Sequence, residues 1–282
     1  MAVQNSLTKS KARKNPLAVY LSSDAVKNQI NKVVGGKDGQ RFITAIISAV
    51  NTNHALQECS NASIVSAALL GESLKLSPSP QLGQYYMVPF NDKNKGKVAQ
   101  FQLGYKGYIQ LALRSGQYKK LNVLAIKEGE LIRYDPLDEE IEVKLIEDEV
   151  EREKAPTIGY YAMFEYLNGF RKTMYWSREK MESHALKFSK GYAAKKGYTF
   201  WEKDFDAMAY KTMLRQLISK WGVMSIDMVT AMDSDLAVIN DDGTKDYVES
   251  EEYVIDAEPE VVQEAEQVPS AAAETPAGGI DW

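Results

Sequence analysis

The chain has 282 residues, of which 44% are hydrophobic, enough for one large domain or two small ones with no disulfide support. Its single cysteine, Cys59, excludes an internal disulfide and a cysteine-rich zinc site and is typical of a reducing, cytoplasmic compartment. No apolar run reaches the roughly eighteen residues of a transmembrane helix, so we expect no membrane-spanning segment.

Charge is distributed unevenly along the chain. Residues 233–282 hold fifteen acidic residues and one basic residue, Lys245, whereas residues 1–232 hold 33 basic and 24 acidic residues. Twelve of those 24 acids lie between Glu128 and Glu153, so the rest of the body has a surplus of about 18 positive charges. A surplus of this size indicates a polyanionic partner, which on charge alone is DNA, RNA or an anionic membrane surface.

The first half of the chain predicts helices followed by a hairpin. Residues 1–19 are polar and basic without periodicity, which predicts a disordered arm. Apolar residues at helical spacing predict helices over residues 40–57 and 63–75, with Asn61 or Ser63 as the cap of the second. Two apolar runs on either side of the polar loop at residues 91–97 predict a β-hairpin.

Helical periodicity returns in residues 105–116, where Gly116 is expected to end the helix. Strand-like runs between residues 120 and 146 carry the acidic cluster. Two more strands flank Asn168-Gly169, a pair typical of a two-residue hairpin turn. Ser177 is then expected to cap a helix that ends near Phe188.

The last predicted element is a long helix over residues 202–221, stopped by Gly222. Residues 229–282 are acidic and poor in large apolar side chains, which predicts a disordered tail after a core of residues 20–228. The predicted fold class is α+β, with a small antiparallel sheet, a β-hairpin, packed helices and an oligomerising core.

The sequence supplies little chemistry for catalysis. Neither G-x-x-x-x-G-K-[ST] nor G-x-G-x-x-G occurs, so nucleotide hydrolysis and dinucleotide binding lack a motif. His54 and His184 have no second histidine nearby, and Cys59 has no histidine at a recognisable spacing. These patterns favour surface or core positions over catalytic roles.

One group of carboxylates, Glu202, Asp204 and Asp206, is compatible with a Mg²⁺ site for phosphodiester cleavage. Acids in the first turn of a helix also interact favourably with the helix dipole, and side chains two positions apart do not share a helix face. The second reading is favoured, and we predict neither a catalytic residue nor a metal site.

Basic side chains alternate with aromatic ones in three clusters, at residues 105–120, 171–176 and 187–215. Lysine and arginine neutralise phosphates, and aromatic faces stack on unpaired bases, a combination suited to single strands. The alternative is a charged surface over core aromatics.

Two sequence blocks keep a characteristic order and separation. The first is LLGESLKLSPSPQLGQYYMVPF continuing through QFQLGYKGYIQLALRSG, and the second is FWEKDFDAMAYKTMLRQLISKWG. Together they resemble the RecT family of phage-type single-strand annealing recombinases, within the RecT and Red beta superfamily. The resemblance covers roughly residues 20–228 and leaves the tail uncovered.

This resemblance implies a protein that binds single-stranded DNA, assembles into rings or helical filaments, and anneals complementary strands without ATP in homologous recombination. It implies a partner 5′-to-3′ exonuclease and contact with the host's single-strand binding protein, with no membrane partner. No cofactor is required, although Mg²⁺ can modulate DNA binding. The family fold has a small antiparallel sheet, packed helices, a hairpin and a positively charged groove.

By motif position, the resemblance makes Lys106, Arg114, Lys211 and Arg215 the best candidates for a phosphate groove. Tyr105, Tyr108 and Trp201 are either base-stacking platforms or packing residues. The full set of expected DNA-contacting cations is Lys106, Arg114, Lys119, Lys120, Arg171, Lys172, Lys195, Lys196, Lys211 and Arg215.

Two alternative functions remain open at this point. One is a Mg²⁺-dependent nuclease that uses the three carboxylates, and the other is a general single-strand DNA- or RNA-binding module without annealing activity.

Overall fold

The computed structural model of the chain describes residues 16–35, 38–92, 94–197, 199–240 and 242–247. Most of the predicted N-terminal arm, residues 1–15, lies outside this range. Its last residues are helical, because Leu17 and Leu21 bury apolar side chains in the core. The prediction of a disordered arm is therefore wrong for residues 16–19.

The described helices and strands are as follows, in chain order. The helices are α1 (Pro16–Leu21), α2 (Asp24–Val34), α3 (Gly39–Thr52), α4 (Asn61–Ser73), α5 (Tyr105–Arg114), α6 (Glu149–Lys154), α7 (Arg178–Phe188), α8 (Lys190–Ala193), α9 (Phe200–Lys203), α10 (Phe205–Trp221) and α11 (Ile226–Ser234), with a 3₁₀ turn at His54–Glu58. The strands are β1 (Tyr85–Asp92), β2 (Gly96–Leu103), β3 (Tyr118–Lys127), β4 (Leu131–Asp135), β5 (Glu140–Val143), β6 (Thr157–Tyr166), β7 (Arg171–Ser177), β8 (Ala237–Ile239) and β9 (Lys245–Tyr247).

These strands form small antiparallel sheets, which confirms the predicted α+β class. One sheet has the order β1-β2-β8-β9, a second has the order β3-β6-β7, and β4 pairs with β5. Both predicted hairpins are confirmed: β1 pairs with β2 from Tyr85↔Leu103 to Asp92↔Gly96, and β6 pairs with β7 across the Asn168-Gly169 turn.

Helix α4 lies against β2 and α2 and is buried on nearly every side. Its N-terminal cap is Ser60, whose side chain accepts a hydrogen bond from the Ser63 amide, rather than Asn61 or Ser63. The predicted cap of α7 is confirmed, because the Ser177 side chain accepts from the Lys180 amide.

The acidic arm, residues 128–154, consists of the β4–β5 hairpin and α6. The buried carboxylate of Glu130 is one of the groups that link this arm to the body. Glu130 accepts hydrogen bonds from the Lys127 and Ile146 amides and from the Arg152 guanidinium. Burial raises the pKa of Glu130, but these hydrogen bonds, led by the one from Arg152, outweigh burial and leave the pKa lowered.

The predicted disordered tail begins too early. Helix α11 buries Met228, Ala231 and Met232, and β8 joins the first sheet at the pair Phe101↔Ala237. The prediction is therefore wrong for the described part of residues 229–247, and residues 248–282 lie outside the described chain. No helix in the described ranges is long and apolar enough to cross a membrane.

Candidate nucleic-acid interface

The predicted helix over residues 202–221 is two helices, α9 and α10, separated at Asp204. Thr199 caps α9 in a capping box: its hydroxyl accepts from the Glu202 amide, and the Glu202 carboxylate accepts from the Thr199 amide. Glu202 also accepts from the Gly197 amide at 2.7 Å, which folds the preceding loop back onto α9. Asp204 has a non-helical backbone (φ −151°, ψ 78°) and caps α10 by accepting from the Ala207 amide at 3.0 Å.

The three carboxylates of the nuclease alternative thus have separate structural partners. Glu202 belongs to the cap of α9, Asp204 to the cap of α10, and Asp206 accepts a 2.6 Å hydrogen bond from the Tyr160 hydroxyl. Within the described ranges, no three acidic, histidine or cysteine side chains converge as a metal site would require.

An open cavity of about 200 Å³ lies where the N-termini of α5 and α10 meet β1 and α9. Its apolar walls are Tyr86, Tyr105, Phe200 and Met208, and its polar lining includes Lys203 and Asp204. The Tyr86 and Phe200 ring centroids are 5.9 Å apart with the planes inclined by 37°. Burial, helped by Tyr105 and Asp204, raises the pKa of Tyr86, so its hydroxyl stays protonated at neutral pH.

Glycines let the chain close around this cavity. A Cβ on Gly104 would lie 2.1 Å from the Gly83 carbonyl oxygen, and one on Gly107 would lie 2.1 Å from the Gln84 carbonyl oxygen. The loop before β1 therefore packs directly on the first turn of α5. It holds Lys106 beside Gly83, with the Lys106 Nζ 5.9 Å from the Tyr105 ring centroid.

Two of the four best phosphate candidates form ion pairs within the fold: Lys211 is buried, and Arg215 is partly buried. Lys211 is only 4% exposed, and its Nζ lies 3.0 Å from both carboxylate oxygens of Asp235. Arg215 donates to the second Asp235 oxygen at 3.1 Å and to the Tyr108 hydroxyl at 3.2 Å. A buried carboxylate from after α11 thus pairs with both cations, and Lys211 also lines the cavity, so their contact with phosphate stays a prediction.

Arg114 also has a structural role. Its two terminal nitrogens donate to the Leu74 and Lys75 carbonyl oxygens at 2.5 and 2.6 Å, which satisfies the C-terminal end of α4. Its guanidinium therefore binds backbone carbonyl oxygens in this structure.

The candidate cations on strands β3 and β7 lie at or near the surface, next to acidic side chains. The Lys119 Nζ is 2.5 Å and the Lys120 Nζ 3.7 Å from the Glu165 carboxylate, and Lys119 in particular lowers the pKa of Glu165. Lys172 is half-buried, 2.5 Å from Glu139 and 3.8 Å from the Trp221 ring centroid. Arg171 is exposed and borders a recess lined mostly by residues of the acidic arm.

Lys106, Lys195, Lys196 and Lys203 are exposed. Lys203 lines the cavity and Lys106 lies next to Tyr105 on its wall, while Lys195 and Lys196 occupy the loop that Glu202 folds onto α9. These four lysines and the cavity walls are called the cavity face below. Exposed lysines around apolar rings form the combination that single-stranded nucleic acid requires.

Of the three stacking candidates, Tyr105 alone borders this face. Tyr108 is fully buried, and Trp201 is 4% exposed and packs edge-on against Phe205. Both are core residues, which favours the packing alternative for Tyr108 and Trp201.

Comparison with known proteins identifies the family. The RecT family model matches residues 40–255 of this chain. The chain belongs to the RecT family. It is 41% identical over 264 residues to the uncharacterized protein YqaK of Bacillus subtilis (strain 168), covering 92% of this chain and 85% of that protein. It is 30% identical over 241 residues to Protein RecT of Escherichia coli (strain K12), covering 81% of this chain and 86% of that protein.

RecT family membership implies DNA binding and single-strand annealing in recombination. The RecT match includes α11, β8 and β9, in agreement with the observed continuation of the fold beyond residue 228. Sequence reasoning on this RecT-family chain did not single out Tyr86, Phe200 or Lys203, which line the cavity. Lys203 stood within the third basic and aromatic cluster, but no local pattern connects Tyr86 on β1 with Phe200 on α9.

Proposed function

We propose that this chain binds single-stranded DNA and anneals complementary strands without ATP, as a homo-oligomer in phage-type recombination. The observation that carries the proposal is the family match over residues 40–255. The exposed lysines of the cavity face support it, since they supply positive charge without a nucleotide-binding motif.

A mechanism follows from elementary electrostatics. Lysines hold a strand by its phosphates, which carry no sequence information, and leave the base edges open to a second strand. Base pairing then supplies specificity, and the protein lowers the repulsion between two polyanions. This process needs no covalent chemistry and no catalytic residue.

Several copies of the chain acting together, as a ring or filament, would extend a strand long enough for a register search. We include in the proposal a partner 5′-to-3′ exonuclease that exposes the strand and the host's single-strand binding protein. The surface lysines that pair with Glu165 are secondary phosphate sites, because such exposed ion pairs are weak and exchange for phosphate at little cost.

The proposal is tested by mixing the full chain with two complementary labelled oligonucleotides, without nucleotide, in the presence and absence of Mg²⁺. Annealing without ATP is the expected result. Strand cleavage that requires Mg²⁺ would support the nuclease, and binding without annealing would support the general binding module. Either outcome would overturn the proposal.

A further inference from the structure

We propose that the cavity bounded by Tyr86, Tyr105 and Phe200 receives one unstacked nucleobase of the bound strand, with the phosphates beside that base held at Lys106 and Lys203. This inference rests on the proposed function and specifies which part of the DNA strand binds in the cavity.

The walls of the cavity have the chemistry of a base platform. Three rings from β1, α5 and α9 surround a space of about 200 Å³, and Met208 supplies a fourth apolar wall. Aromatic side chains stack on any nucleobase, since every base presents a π face. Phe200 is 41% exposed at the opening, so its ring is available to an incoming ligand.

Charge decides which part of a nucleotide enters. The carboxylate of Asp204 lines the cavity, and its proximity contributes to the raised pKa of Tyr86. Lys211 also lines the cavity, but its charge is paired with Asp235, so a phosphate deep inside would face the Asp204 carboxylate, whereas a neutral base would not be repelled by it. Lys203 at the rim and Lys106 next to Tyr105 lie where the adjoining phosphates can be neutralised.

The rigidity of the site supports a preformed pocket. The N-caps of α9 and α10 fix Phe200 and Asp204, and the close backbone contact between Gly83 and Gly104 fixes the opposite wall. A cavity whose walls are held by capped helices and a hairpin loses little freedom when it binds a ligand.

The test compares two strands of equal length, one of mixed sequence and one with every base replaced by an abasic tetrahydrofuran unit. Phe200→Ala in the full chain is expected to weaken binding of the normal strand about tenfold, because the stacking of one base is lost. Its affinity for the abasic strand should change less than twofold. The salt dependence of normal-strand binding stays unchanged, because no phosphate contact is lost.

Phe170→Ala is the matched control, since Phe170 is 44% exposed, belongs to the turn between β6 and β7, and does not line the cavity. It should bind both strands as the unaltered chain does. Phe200→Tyr should keep the affinity and Phe200→Leu should lose it, which separates ring stacking from apolar volume if the alanine variant fails to fold.

Two results would overturn the inference while leaving the proposed function intact. One is normal-strand affinity unchanged in Phe200→Ala, and the other is an equal loss on both strands. Loss of self-association without DNA, seen by light scattering in Phe200→Ala, would assign the cavity to a neighbouring copy and also overturn it. An unaltered chain that binds neither strand would instead contradict the proposed function.

Discussion

Lys211 and Asp235 form a buried ion pair that fastens the chain segment after α11 to the middle of α10. Their charged atoms are 3.0 Å apart, Asp235 also accepts from Arg215 and from the Leu103 amide, and the carboxylate is fully buried. One carboxylate thus joins α10, β2 and the turn that leads into β8.

Removing that carboxylate should destabilise the whole fold rather than affect DNA binding selectively. Asp235→Ala leaves two cations without their shared counter-charge inside the fold, and we expect it to lower the free energy of unfolding by about 3–5 kcal/mol. Urea unfolding followed by circular dichroism measures the loss. The control is Asp233→Ala, an exposed carboxylate whose partners are Lys245 and the Tyr247 hydroxyl, with an expected loss below about 1 kcal/mol. Equal stability of the two variants would contradict this role of Asp235.

Truncation distinguishes the end of the fold from the acidic tail. A chain ending after Tyr247 keeps Asp235, β8 and β9, and we expect it to fold and to bind single strands at least as tightly as the full chain. The residues removed contain ten acids and no base, so repulsion falls most below about 0.1 M salt.

A chain ending at residue 233 lacks Asp235 and should be largely unfolded. Affinity for an oligonucleotide and the circular dichroism spectrum of the two truncations check both expectations. A folded chain ending at residue 233 would show that β8 and Asp235 are dispensable.

Sequence periodicity predicted the helices and hairpins whose apolar pattern is local, including α5, α7 and the β1–β2 pair. It missed the end of the fold, because residues 226–247 mix acids with short apolar runs and are stabilised by distant partners, Phe101 for β8 and Lys211 for Asp235. The pairing of Lys211 could not be predicted for the same reason, because its partner Asp235 is distant in the sequence. The cavity face was only partly predictable for a related reason, since β1, α5 and α9 meet only in the folded chain.

The salt dependence of DNA binding measures the number of phosphate contacts. The logarithm of affinity should fall with the logarithm of salt concentration by about 0.7 per phosphate held on a single strand. Lys106→Gln combined with Lys203→Gln should reduce the slope by about 1.4, because two contacts are lost. Fluorescence anisotropy of a labelled strand at several salt concentrations gives the slopes. An unchanged slope would place the phosphates elsewhere.

The acidic arm should loosen at low pH. The pKa of Glu130 is lowered in the fold, so its stabilising contribution is complete above the unfolded value of about 4.5 and disappears as the pH falls through the folded value. We expect Glu130→Gln to cost about 2 kcal/mol at pH 7 and clearly less at pH 3.5. Urea unfolding at the two pH values measures this difference. Asp138→Asn, on the exposed β4–β5 turn, is the control and should change stability by less than about 0.5 kcal/mol at either pH. A constant cost for Glu130→Gln would show that its charge is not what holds the arm.

The annealing rate of charge-reversed variants tests the central claim, that the cavity face holds the strand, most directly. Two complementary labelled oligonucleotides are mixed without nucleotide in the presence of the full chain, Lys106→Glu/Lys203→Glu, or Lys220→Glu. Lys220 is exposed in the last turn of α10 and serves as the matched control. Annealing lost in the double variant and retained in the control, with both proteins folded, is the predicted result. A double variant that anneals as fast as the unaltered chain would contradict the account.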